Sequence, residues 1–478
     1  MNYRMISRIV GLALLIEGGL MLLPFVAGLF YSERSWEFLC VALAAAAVGL
    51  LFVLVKPKTS TIYAQEGFVS VTLVWLLMSV FGAIPFVISG DIPRFVDAFF
   101  ETVSGFTTTG ASVVNNVEGM SKAGLFWRSF THWIGGMGVL VFIMAVLPMS
   151  GDHSMHIMRA EVPGPVVGKL VPRAKETAKI LYLIYAGLTI LETFFLMAGG
   201  MSFFDALLHA FGTAGTGGFS TKNAGVTAFN SPYIEVVIPV FLMLFGINFN
   251  LYYLILIGKG KEALKSEELH VYLLIIITAT LSITAGITGL FGSFGTALRT
   301  AFFYVLSILT TAGFTGADYM QWPQYTLIII VVLMFIGGCA GSTGGGMKVS
   351  RVMLLIKNSA AEIHHMISPR RVKKVRLDGK VVEDGVLKTV SSFFFLYLFV
   401  LFACAFIISF DGFDFSTNFT ASLSCISNIG PGLSGVGPTE NYYAFSAVSK
   451  YVMSLTMLLG RLEIYPIVIT VISLVKRK

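Results

Sequence analysis

The stretch DAFFETVSGFTTTGAS, residues 97–112, decides the reading of this chain, because it returns three more times in altered form. The other copies are DALLHAFGTAGTGGFS at 205–220, TAFFYVLSILTTAGFT at 300–315 and TNFTASLSCISNIGPG at 417–432. In every copy the fourteenth residue is glycine: Gly110, Gly218, Gly313 and Gly430. Two positions earlier stand Thr108, Thr216, Thr311 and Asn428, and six positions earlier Ser104, Gly212, Ser307 and Ser424. Each copy carries a mainly apolar piece of about a dozen residues, which as helix reaches only ~18 Å and cannot cross ~30 Å of hydrocarbon. Each also lies between two long apolar runs. The pattern predicts four units of span, half-membrane helix, glycine loop and span. Small residues at these places would also suit helix packing, which accounts for a single copy but not for four in register.

Outward from the repeat, the composition agrees. Of 478 residues, 56% are hydrophobic and 12% charged, and the mean hydropathy is +0.82. There is too little polar material to cover a water-soluble globule, so the chain is expected to be an all-α polytopic membrane protein. Ten apolar runs are long enough to span: 9–31, 37–55, 68–89, 123–149, 180–201, 233–257, 270–292, 325–356, 389–410 and 446–475. The opening MNYRMISR precedes a run that is long for a signal peptide and has no clear small-residue cleavage site, so it is read as a retained first helix. The division that follows is an N-terminal two-helix hairpin at 1–60, then units at 61–165, 166–262, 263–384 and 385–478.

The net charge of +7 is spread over alternate loops rather than gathered in one basic domain, which argues for membrane topology and against nucleic acid. Arg4 and Arg8, Lys56 and Lys58, Arg159 to Lys179, Lys259 to Lys265, Lys357 to Lys388 and the terminal Lys476, Arg477, Lys478 share one side. That side is read as cytoplasmic and holds both termini. Within the largest basic loop, VKKVRL, Asp378, Gly379 and KVVEDG read as a β-hairpin on a type I′ turn. It would serve as a docking point or as a loop on anionic lipid. Cys40, Cys339, Cys404 and Cys425 are scattered, with no CxxC spacing, which supports neither a disulfide framework nor a zinc site.

Four parallel units with re-entrant loops close naturally about one axis. Irregular backbone at membrane depth is tolerated where it is buried or lines water, and a central pore meets that condition. Each half-helix directs its carboxy-terminal end, with about half a negative charge, at its loop. The glycines let carbonyls turn towards the axis, where they can replace an ion's water shell. Neutral carbonyls suit a monovalent cation, and the loops contain no carboxylate. Asp97 and Glu101 lie back in the first half-helix.

At these residues the chain resembles the Trk/Ktr/HKT superfamily of cation transporters, and within it the TrkH-type potassium-uptake subunits. TTTGAS, TGGFST, TTAGFTG and SNIGPGLSG are similar to that family's four filter segments. The resemblance implies a potassium-binding filter of Thr108, Thr109, Gly110, Thr216, Gly217, Gly218, Thr311, Ala312, Gly313, Asn428, Ile429 and Gly430. In the family, glycine at all four positions goes with potassium preference, and serine at the first with sodium transport in some plant members. Ile429 and Pro431 make the fourth loop depart most, so less than fourfold symmetry is expected. The resemblance further implies a homodimer in a bacterial inner membrane. It also implies a cytosolic TrkA-like ring carrying nucleotide-binding domains, since this chain has no GxGxxG after a strand and no soluble stretch for a βαβ fold. No cofactor is expected in this chain; potassium is the substrate.

GGCAGSTGGGMK, residues 337–348, interrupts the eighth run. Three successive glycines would cost a helix about 3 kcal/mol relative to alanine, which predicts a broken helix. GxxxG packing is a competing reading for Gly337 and Gly341, and a phosphate-binding loop is disfavoured by Met347 before the lysine. By resemblance this is an intramembrane gate under the filter, formed by Gly337, Gly338, Gly341, Ser342, Thr343, Gly344, Gly345, Gly346 and Lys348. Arg461 in the last run matches a pore-facing arginine near that gate; the alternative is an arginine snorkelling to headgroups. Glu463, two residues on, is a poor partner for it on a helix. Glu17 and Glu192 are intramembrane carboxyls for which structural pairing is the default expectation. An ion-coupled carrier remains the alternative to a channel. An enzyme is disfavoured because His132, His209, His364 and His365 form no catalytic constellation.

Overall fold

The computed structural model describes residues 1–55, 63–138, 174–370 and 374–475. Lys56, Lys58, Arg159, Lys169, Arg173, Arg371, Lys373, the terminal basic triplet and the unit boundaries near 60 and 165 lie outside the described residues. Among the described residues, six helices are long and apolar enough to cross a bilayer: Tyr3–Phe30, Trp36–Leu54, Gln65–Ser89, Ala178–Ala198, Glu267–Phe291 and Asp384–Asp411. Leu51 and Phe406 on these helices are 64% and 67% exposed, as befits faces that meet lipid rather than water. The molecule is a multi-pass membrane protein. Helices Tyr3–Leu20 and Trp36–Leu54 pack closely through small residues. A Cβ added at Gly11 would stand 2.6 Å from the Gly49 carbonyl oxygen, and one at Gly49 would stand 2.8 Å from that of Gly11, the close backbone approach typical of helices in lipid.

Two expected straight spans are bent. The run at 233–257 divides into Ile234–Phe245 and Phe249–Leu256 at 84°, and that at 446–475 into Ala447–Arg461 and Tyr465–Ser473 at 111°. At the first bend Asn248 starts a new helix, accepting from the Asn250 amide at 2.9 Å. At the second, Glu463 and Ile464 both take positive φ, 60° and 64°. The run at 325–356 is helix Gln324–Ile336, a non-helical stretch, and helix Val349–Ile367. That second helix also holds His364 and His365 in its last turn, where the sequence suggested a loop. The run at 123–149 begins as helix Lys122–Gly136, and residues 139–149 lie outside the described set. With the bent pairs counted as spans the described residues give eight.

Four short helices, Phe95–Phe106, Phe203–Gly215, Phe294–Leu309 and Phe415–Ser427, precede the repeat glycines. Each packs against the long helix before it, the helix after it and the helix that follows the preceding glycine loop; the first of them meets Ala447–Arg461. They are enclosed on every side over their carboxy-terminal halves, so Ala421 through Ser427 are all buried. Some hydroxyls bond back to the preceding turn, as when Thr107 donates to the Val103 carbonyl at 2.7 Å and Thr310 to that of Leu306 at 2.6 Å, whereas those of Ser104 and Ser422 have no partner among the described residues.

The hairpin is shorter than the sequence suggests. Strands Arg376–Leu377 and Lys380–Val381 pair antiparallel across Asp378 and Gly379, whose φ values of 50° and 74° fit a type I′ turn. Asp384 and Gly385 already belong to the first turn of helix Asp384–Ile408.

Candidate functional site

The four glycine loops meet. In each, the residue two before the glycine is left-handed, with φ of 55° at Thr108, 55° at Thr216, 63° at Thr311 and 57° at Asn428. Three of these are β-branched, for which this conformation is a genuine outlier, and such strain persists where surrounding structure over-determines it. The compensation is visible in the helix ends. The next amide in each loop bonds five residues back: Thr109 to the Ser104 carbonyl at 2.9 Å, Gly217 to Gly212 at 2.8 Å, Ala312 to Ser307 at 2.9 Å and Ile429 to Ser424 at 3.0 Å. This is the bond that closes a helix ending in a left-handed residue.

The glycines follow at φ of 76°, 73°, 72° and 102° for Gly110, Gly218, Gly313 and Gly430. Each faces the carbonyl oxygen of the residue before the next loop's glycine. Gly110 abuts Gly217, Gly218 abuts Ala312, Gly313 abuts Ile429 and Gly430 abuts Thr109. A side chain at any of the first three would overlap that oxygen. The cycle returns to its start, and the Asn428 amide reinforces the closure by donating to the Thr109 hydroxyl at 3.0 Å. His132 wedges between two members: its Nδ1 donates to the Gly105 carbonyl at 2.8 Å and its ring fills the space beside Gly217.

On one side of this ring lies a cavity of about 240 Å³, lined by the four glycines and farther out by Arg128, Lys222 and Glu440. On the other side lies the 337–348 segment. Its Gly345 amide donates to the Thr311 hydroxyl at 2.6 Å, and Gly344 and Gly345 abut the carbonyls of Thr310 and Ser427. The segment takes up the backbone groups freed by the bend after Phe245. The Cys339 amide bonds the Gly246 carbonyl at 2.9 Å, and the Phe249 amide bonds the Gly341 carbonyl at 3.0 Å. The Glu268 carboxylate ties both ends of it, accepting from the Ala340 amide at 2.7 Å and the Ser350 amide at 3.0 Å. Lys348, buried and at φ 76°, donates to the Gly344 carbonyl.

Arg461 reaches the same segment. It donates to the Thr343 carbonyl at 2.8 Å and to those of Gly135 and Gly136 at 2.5 and 2.7 Å, joining the segment to the end of helix Lys122–Gly136. Glu463 pairs instead with Arg351 at 2.5 Å. The expected pairing of Glu17 and Glu192 is not found. Both are fully buried, and their oxygens have no hydrogen-bond partner among the described residues. Glu192 lies near Thr213, but that hydroxyl is spent on the His209 carbonyl at 3.0 Å.

Two buried ion pairs flank the ring. Arg128 Nε meets Glu101 at 2.5 Å, and Lys450 Nζ meets Asp97 at 2.6 Å. Sequence reading passed over Arg128, Lys450 and Glu268. The signal for the first two was present, since a charge inside an apolar run is a site candidate by default. Glu268, in the first turn of its helix, looked like an ordinary dipole-compensating residue.

Comparison with known proteins finds relatives along nearly the whole chain. A family model described as TrkH, cation transport protein, matches residues 35–284 and 269–477. The Trk system potassium uptake protein TrkH of Salmonella typhimurium is 36% identical over 98% of both chains. The protein TrkG of Escherichia coli is also 36% identical, over 98% of this chain and 97% of its own. The crystal structure of the potassium transporter TrkH from Vibrio parahaemolyticus superposes with a TM-score of 0.88 at 33% identity, covering 98% of each chain.

Proposed function

Because the chain belongs to the TrkH family of cation transport proteins, we propose that it takes up potassium across the bacterial inner membrane through the ring of glycine loops. The observation that carries this reading is the cyclic contact of Gly110, Gly218, Gly313 and Gly430 with the carbonyls of Gly217, Ala312, Ile429 and Thr109. A ring in backbone contact all the way round, braced by Asn428 and His132, offers oxygens at fixed spacing. Loop carbonyls from Thr108 to Gly110, Thr216 to Gly218, Thr311 to Gly313 and Asn428 to Ile429 replace the hydration shell of potassium, while the Gly430 carbonyl is taken by the Ser424 and Tyr442 hydroxyls at 2.6 and 2.7 Å. The short helices aim their carboxy-terminal dipoles at the same place and favour a cation without binding it too tightly to leave.

The 337–348 segment acts as the gate. It lies against loops three and four, the Ser342 and Thr343 hydroxyls are spent on the Cys339 and Phe245 carbonyls at 2.6 and 3.3 Å, and Arg461 adds a positive charge beside the path. Conduction is channel-like, with units at 61–165, 166–262, 263–384 and 385–478 around the axis and the hairpin of residues 1–60 outside it. Both termini face the cytoplasm. The working assembly is a homodimer controlled by a cytosolic TrkA-like nucleotide-binding ring, because no soluble sensor is legible in this chain. Reversal potentials of the purified protein in bilayers, measured in opposed potassium and sodium gradients, test the reading. A potential near the potassium equilibrium value supports it, one insensitive to potassium removes it, and a fixed dependence on a proton or sodium gradient would favour the coupled carrier instead.

A further inference from the structure

The four copies of the repeat diverge at their fifth residue, nine before the glycine: Glu101, His209, Tyr304 and Ala421. The first three are almost fully buried in their short helices. Each side chain crosses its loop to grip the backbone or hydroxyl two to four residues beyond the glycine. Glu101 accepts from the Ser112 hydroxyl and the Val113 amide, both at 2.9 Å. His209 donates through Nδ1 to the Asp205 carbonyl at 2.7 Å, which leaves Nε2 to accept from the Ser220 hydroxyl at 3.0 Å. The Tyr304 hydroxyl accepts from the Gly316 amide at 2.8 Å and donates to the Ala317 carbonyl. In the fourth copy alanine has nothing to offer, and the preceding residue takes over. Thr420 accepts from the Leu433 amide at 2.8 Å and donates to the Ser416 carbonyl at 2.7 Å.

We infer that these four side chains are struts that set the stiffness of each filter loop, so that Glu101, His209, Tyr304 and Thr420 are specificity-positioning residues for the transported cation. The inference rests on the filter reading above and deepens it. A loop tied only at its helix end can close around an ion smaller than potassium or give way to its hydration water. A loop tied on both sides of the glycine keeps its oxygens at one spacing, and selectivity depends on that spacing or on the number of oxygens presented. The struts are also unequal. Glu101 is itself held by Arg128, which donates onward to the Ser220 carbonyl at 3.1 Å and stacks on Phe219, with the guanidinium 3.6 Å from the ring centre, so one ion pair stiffens loops one and two together. Loop four has no strut at the fifth position, and besides Thr420 it is tied by Ser424 and Tyr442, which donate to the Gly430 carbonyl at 2.6 and 2.7 Å, and by Tyr319, which donates to that of Gly432 at 2.5 Å. The support is therefore chemically different from loop to loop around the ring.

The test deletes one oxygen at a time with little change of shape. Tyr304→Phe and Thr420→Val each remove a strut, Thr326→Val removes a buried hydroxyl bonded to the Pro323 carbonyl outside the ring, and Gly110→Ser perturbs the ring itself. Reversal potentials in mixed potassium and sodium give the permeability ratio for each purified protein. For both strut variants the relative sodium permeability should rise roughly fivefold, about 1 kcal/mol of lost discrimination at 1.4 kcal/mol per decade, while Thr326→Val keeps the wild-type ratio. A merely structural hydroxyl would lower yield and leave the ratio alone, so a variant that expresses poorly is still informative through the ratio of what remains. If both strut variants keep the wild-type ratio while Gly110→Ser changes it, the filter reading stands and the strut inference falls. If Gly110→Ser also leaves the ratio unchanged, both fall together.

Discussion

Alanine placed at each ring glycine in turn should produce a graded loss that the structure ranks in advance. Every such alanine must adopt a positive φ, which costs at least about 1–2 kcal/mol and more at the 102° of Gly430 than at the 72° to 76° of the other three. The steric term runs the other way. At Gly313 the new methyl overlaps the Ile429 carbonyl and stands 2.6 Å from Pro431 Cδ; one neighbour is backbone and the other a ring, and neither can rotate away. At Gly430 the nearest atom is the Thr109 oxygen at 2.8 Å, which a small shift of one loop relieves at the roughly 1 kcal/mol typical of mild overpacking. Gly430→Ala should therefore conduct with weakened potassium preference, and Gly313→Ala should fold yet lose potassium-selective flux by at least about tenfold more, a difference of about 1.4 kcal/mol. Growth of potassium-uptake-deficient bacteria on limiting potassium screens the series, and reversal potentials of purified protein quantify it. Wild-type discrimination in Gly313→Ala, or a heavier loss in Gly430→Ala than in Gly313→Ala, would refute the ring geometry as the source of selectivity.

Shortening the 337–348 segment should raise basal flux, read as uptake by vesicles at matched protein content; lower flux in a folded variant would count against a gate. Glu268→Ala leaves two buried amides without an acceptor, at about 1–3 kcal/mol each, and should raise basal flux roughly tenfold or more by freeing both ends of that segment. Arg461→Ala removes a positive charge from the path and three ties to backbone carbonyls, so flux should also increase, and single-channel recording distinguishes longer openings from larger currents. Neutralising Arg370, Arg371, Lys373 and Lys374 should weaken capture of the cytosolic ring and flatten its salt dependence in neutral detergent, whereas equal capture at every salt concentration would remove the hairpin from that interface.

The ring was legible because its physics is local. A glycine needed at positive φ and a short apolar helix too brief to cross the membrane both leave marks in one sixteen-residue pattern, whereas the left-handed residue two before the glycine, a threonine in three copies, leaves none. The break at residues 337–348 was legible for the same reason, since consecutive glycines disfavour helix whatever surrounds them. The bend after Phe245 was not. Its cause is a set of backbone bonds from Cys339 and Gly341, and backbone bonds between segments ninety residues apart carry no side-chain signature. Glu17 shows the opposite failure. Its placement inside the protein was foreseen, yet the assumption that a buried carboxyl must have a partner did not hold among the described residues. A departure of the fourth loop was anticipated from Ile429 and Pro431, but the loss of the fifth-column side chain at Ala421 is legible only once that column is compared across all four copies.

The contact between Asp97 and Lys450, 353 positions apart, has a consequence for biogenesis. Asp97 enters the membrane with the first short helix, long before the ribosome has made the residue that neutralises it. A charge left unpaired in a low-dielectric interior costs several kcal/mol, so the nascent first unit must keep Asp97 protonated, hydrated or shielded by the insertion machinery until the final helix arrives. The last thirty residues of the chain thus act as a keystone. A truncation that removes them strands a buried acid and takes away the Met457 carbonyl to which the Asn428 side chain also donates, at 2.9 Å, and quality-control proteases would be expected to clear such a product rather than leave a partly working pore.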